Sequence, residues 1–104
     1  MMQQELFLFF KTPQSRFAEF HKANPHVYQT LILKCRQWRR HHPTKKLGIR
    51  MLWESMRWDY AMKTESNDFK LNDHYTPFYA RLIMDCEPGL ADIFEIRDRK
   101  AEIA

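Results

Sequence analysis

Asn24-Pro25 opens the most strongly patterned stretch of the chain, PHVYQTLILKCRQWRRHH. Val27, Leu31, Cys35 and Trp38 recur there at helical spacing, and Tyr28 and Ile32 widen the stripe. Asn-Pro is a helix-start signal, because proline presets φ and leaves no N–H to orphan in the first turn. Residues 25–41 therefore predict one long amphipathic helix, and the rest of a small chain must pack against its apolar face. Only two of 104 residues are glycine, whereas eight are Phe, four Tyr and three Trp, so core or interface must be built from rings. A single domain is expected at this length, burying roughly 65% of the surface exposed by its unfolded form.

The remaining punctuation extends the same reading. Thr12-Pro13 caps and starts a helix through QSRFAEFHKA, with Phe17 and Phe20 on one side. His41-His42-Pro43-Thr44 breaks the long helix, and a second one runs from about Gly48 to Tyr60. Ile49, Leu52, Trp53, Met56 and Tyr60 share one of its faces, and Met51, Ser55, Trp58 and Met62 form another fairly apolar side. Arg50 and Glu54, four apart, are placed for a surface ion pair. Residues 60–71 read as a short β-hairpin around the turn-forming ESND. Asn72 or Thr76 caps a further helix carrying Phe78, Tyr79, Leu82, Ile83 and Cys86, and Glu87-Pro88-Gly89 ends it. LADIFEIRDRK, residues 90–100, is read as a last helix. The apolar run ELFLFF is a strand or a first helical turn. The fold class predicted is mainly α with a short β-hairpin, one domain over 1–104, of winged helix-turn-helix type.

Charge is distributed unevenly. Residues 34–63 carry nine Lys or Arg against two acids, and residues 85–104 carry three bases against six acids. The basic block points to a polyanion partner. The plainer alternative is that the two ends attract each other within the fold. Cys35 and Cys86 both lie in apolar helical patterns and are read as buried thiols of a cytoplasmic protein. ELFLFF is too short for a signal peptide or a membrane span.

Catalytic motifs are missing from the sequence. Two glycines cannot build a phosphate loop, and no GxSxG, HExxH or CxxC occurs. The histidines and cysteines match no structural zinc spacing. No enzyme activity, metal or cofactor is expected.

The pattern with a mechanism behind it is helix, turn, helix, hairpin. In it, 25–41 is the supporting helix, 42–47 the turn and 48–60 the groove helix. Lys45, Lys46 and Arg50 stand at or before the groove helix's N-terminus, Arg57 lies two turns on, and Arg39 and Arg40 reach backbone phosphates. Lys63 and Lys70 lie on the wing, and Arg50 is the candidate for a guanine. The partner is then double-stranded DNA. The same residues also fit a protein-binding surface, with Trp53 and Trp58 as anchors and Arg57 beside them. Homodimerisation through the apolar side of 48–60 or through ELFLFF is compatible with either reading.

FHKANPHVYQTL, GIRMLWESMRWDY, FKLNDHYTPFYARLIMDCEPGL and the ending FEIRDRK give residues 24–97 a look that resembles small phage and prophage proteins. That resemblance implies a compact α-rich, winged-helix-like fold in a viral or mobile-element setting, within a host cytoplasm. It also implies one of two roles, DNA binding or the blocking of a host protein such as a defence nuclease.

Overall fold

The computed structural model describes residues 12–63 and 73–95. The described residues form four α-helices: α1 (Pro13–Ala23), α2 (Pro25–His41), α3 (Ile49–Lys63) and α4 (Thr76–Cys86), the last preceded by a 3₁₀ turn, Asp73–Tyr75. ELFLFF and everything beyond residue 95 lie outside the described residues.

Local chemistry starts and stops these helices as the sequence indicates. The Thr12 hydroxyl accepts from the Ser15 N–H at 3.1 Å, and Pro13 fills the first helical position of α1. Asn24 closes α1: its backbone N–H and its side-chain Nδ2 both donate to the Phe20 carbonyl, at 2.9 and 3.0 Å. Pro25 then begins α2 with no further linker.

One core joins the helices. Val27, Leu31 and Cys35 of α2 meet Leu52, Trp53 and Met56 of α3 and Tyr79, Ala80 and Ile83 of α4. No residue of α1 is fully buried. Its Phe17 instead stands edge-on to Tyr79 at 4.7 Å and stacks on Phe78 at 5.1 Å, and Phe20 stacks on Tyr75 at 4.5 Å. Helix α1 thus covers one flank of α4.

α2 and α3 lie antiparallel along most of their lengths. Thr30 meets Tyr60 through their hydroxyls at 3.3 Å, and Lys34 reaches Ser55 at 2.9 Å and Asp59 at 2.6 Å. Gln37, Trp38 and His41 then face Met51 and Leu52 across a groove. Ascending numbers on one helix meet descending numbers on the other, which is the relation of an αα-hairpin.

Three expectations are corrected. Residues 60–63 are the last turn of α3 and not a strand, and residues 64–71, the rest of the expected hairpin, lie outside the described residues. Residues 90–95 are not helical. Leu47 pairs in parallel with Phe94: the Leu47 N–H donates to Ile93 O at 2.8 Å and the Glu95 N–H donates to Leu47 O at 3.0 Å. Helix α4 ends at the extended Glu87, and Gly89 then turns the chain at φ +81°, a left-handed conformation, ahead of the buried Leu90, Ile93 and Phe94. Finally, Cys86, the last residue of α4, is exposed, whereas Cys35 is fully buried and both thiols are free.

Candidate nucleic-acid interface

The structure disperses the cations assigned to one binding face and engages several of them within the fold. Arg39 donates to Asp92 Oδ1 at 2.8 Å and to the Pro43 carbonyl at 3.1 Å. Lys46 donates to the Asp92 carbonyl and lies 3.9 Å from its carboxylate. Lys45 sits over the Trp38 ring at 5.7 Å. Arg57 does not follow the Arg50–Glu54 pattern: it is Arg57 that takes Glu54, at 3.0 Å, and it also reaches Asp73 at 3.3 Å. Arg40, Arg50 and Lys63 are exposed and have no ion pair among the described residues. Lys70 lies outside the described residues.

Attraction between the basic middle and the acidic C-terminal part is therefore built into the fold. Besides Asp92, Glu87 binds Arg36 at 3.1 Å and accepts from the Tyr28 hydroxyl at 2.9 Å. Desolvation and the hydrogen bond to Glu87 hold that hydroxyl protonated well beyond its ordinary range. Asp92, which organises two of these contacts, was not singled out from the sequence, because its partners Arg39 and Lys46 lie tens of residues away and only the opposite charges of the two segments signalled them.

Surface pairs of this kind are weak and open readily for a phosphate. The Arg39 hydrogen bond, followed by its charge, holds the Asp92 carboxyl below the usual carboxylate range. A depressed folded value means that its stabilising contribution is present above the unfolded-chain value and is lost as pH falls through the folded one. Replacing Arg39 by Gln is expected to move the Asp92 titration upward toward an ordinary carboxylate, read from its side-chain carboxyl carbon by NMR. An unmoved midpoint would show that the pair does not persist in solution.

The two helices named as the reading unit, α2 and α3, meet in antiparallel order, Thr30 on Tyr60 and Lys34 on Asp59. Large apolar side chains also stand on the solvent side of α3 among its charges, with Met51 53%, Trp58 68% and Met62 71% exposed. Trp53 is only 1% exposed and packs in the core, so it cannot anchor a partner, whereas Trp58 is free to do so. On α4, Pro77 and Arg81 share an outward face at i and i+4, opposite the buried Tyr79, Ala80 and Ile83, and His74 is exposed on the 3₁₀ turn just before it. Sequence reasoning missed this face because one arginine and one histidine do not stand out as a basic cluster.

Nucleophilic chemistry finds no support at Cys35. Burial pushes its thiol up to about 12, so the reactive thiolate is scarce at neutral pH. Among the described residues no three His, Cys, Asp or Glu side chains gather to hold a metal ion. No helix among them is long and apolar enough to cross a membrane.

No family model, curated protein or solved structure matches the chain.

Proposed function

We propose that the chain is a non-enzymatic DNA-binding domain of winged-helix order in which α3 and α4, and not α2 and α3, form the helix-turn-helix. The Leu47–Phe94 bridge carries this reading. It ties the segment between α2 and α3 to the segment after α4, so the order becomes helix, extended segment, helix, helix, extended segment. That is the element order of winged-helix domains, and the argument from it is one of fold analogy. A recognition helix meets the major groove with its N-terminal residues. Here those are His74, Thr76 and Pro77, with Arg81 one turn on. Arg57 neutralises Asp73 at the same end, and Lys63 lies less than two turns beyond Arg57 on α3.

Arg57, Lys63 and Arg81 supply phosphate contacts in this arrangement. Three contacts correspond to a slope of about −2.7 in log affinity against log salt, or a loss of roughly 40-fold between about 50 and 200 mM salt. Fluorescence anisotropy with a labelled random duplex at those two concentrations is the test. Salt-independent binding, or none at the lower concentration, would exclude the reading.

A further inference from the structure

We propose that the groove between α2 and α3 docks an acidic amphipathic helix of a partner protein. The proposal is independent of the DNA reading, since it uses none of Arg57, Lys63, His74 and Arg81. The groove encloses about 250 Å³ between the C-terminal half of α2 and the N-terminal half of α3. Trp38, Leu47 and Met51 give it an apolar floor and wall, and Lys34, His41 and His42 stand along it. That volume falls below the usual range for a whole small-molecule ligand and suits the insertion of one large apolar side chain.

Charge selects the occupant. No carboxylate lines the groove. Two acids near it are already engaged: Asp59 by the Lys34 ammonium, and Asp92 by Arg39 and Lys46. Lys45 lies over the Trp38 ring, and Arg40 and Arg50, next in sequence to His41 and Met51, are exposed without an ion pair among the described residues. The apolar surface also continues past the groove. Met51, Trp58 and Met62 run along α3 at i, i+7 and i+11, and Leu33 is 70% exposed on α2. A pocket for one anchor, an apolar strip three turns long and a surround in which the nearby acids Glu54, Asp59 and Asp92 are each held by a cation while Arg40 and Arg50 have no ion pair among the described residues match a helix with an apolar face and acidic flanks.

The test uses a fluorescein-labelled helical peptide of about four turns, with Leu at i, i+3, i+4 and i+7 and Glu at its other positions, beside a copy with Lys for Glu. The full chain is expected to bind the acidic peptide with micromolar affinity and the lysine copy at least about tenfold more weakly. Met51→Asp, at an exposed position, and His41→Glu are each expected to weaken the acidic peptide about tenfold or more while the helical circular dichroism is unchanged. Equal binding of the two peptides, or no binding of the acidic one, would overturn the proposal. So would displacement of the peptide by duplex DNA, which would make the groove a nucleic-acid surface. Self-association that Met51→Asp abolishes and the peptide cannot compete with would assign the groove to a second copy of the chain.

Discussion

Replacing Trp53 by alanine is expected to cost about 3–5 kcal/mol and to leave much of the domain unfolded. The ring is 1% exposed and packs against Tyr79 at 5.7 Å, where α2, α3 and α4 share one core. Its indole N–H is buried without a hydrogen-bond partner. The loss is therefore one of packing and burial, with no hydrogen bond to break. Small domains hold only about 5–15 kcal/mol in total, so the variant stands near the edge of folding. Urea unfolding followed by far-ultraviolet circular dichroism is expected to show a midpoint lower by about 2 M. An unshifted midpoint would mean that Trp53 is not at the centre of the core. Trp53→Phe keeps most of the apolar bulk and removes the unpartnered N–H, so a clearly smaller cost is expected.

Reversing two charges, Lys63→Glu with Arg81→Glu, is expected to weaken duplex binding by roughly 100-fold at low salt. Each reversal removes one phosphate attraction and adds one repulsion, about tenfold apiece for charges at a solvated surface. Both side chains are exposed, so the fold is expected to persist. Among the described residues, the change gives up the contact of Arg81 with the Phe78 ring at 5.4 Å and the attraction of Lys63 for Asp59; a cation over a ring contributes about 0.5–1 kcal/mol at an exposed site. Arg57 is left intact because it holds Glu54 and Asp73, and its loss would confuse structure with binding.

Much of the helical skeleton was legible because its signals are local. Thr12-Pro13 and Asn24-Pro25 state where α1 and α2 begin, and the stripe Val27, Leu31, Cys35 states which face of α2 is buried. Leu52, Trp53 and Met56 did the same for α3. The errors arose where one local pattern serves two structures. Leu90, Ile93 and Phe94 have helical spacing, yet they reach the core through a turn at Gly89 and a bridge to Leu47. Residues 60–63 alternate over too short a span to separate a strand from the end of a helix. Which helices are neighbours, and at what angle, is a tertiary property. The antiparallel seating of α2 on α3 is carried by Thr30–Tyr60 and Lys34–Asp59, pairs separated by 30 and 25 residues. The site was hardest to read because a count of cations does not show their partners. Arg39 and Lys46 looked available until Asp92, 53 and 46 residues away, came to rest beside them.

The helix assignment is tested most directly by comparing two variants of equal net charge. Lys63→Glu/Arg81→Glu alters the α3–α4 face, and Lys45→Glu/Lys46→Glu alters the turn before α3. Affinity for one labelled duplex would be measured by anisotropy at a single salt concentration, with circular dichroism confirming that both variants are folded. If α3 and α4 form the DNA-binding pair, the first variant loses roughly 100-fold and the second less than about tenfold, since their long-range charge effects are the same. A larger loss in the second variant, or equal losses in both, would contradict the assignment of the contact face to α3 and α4.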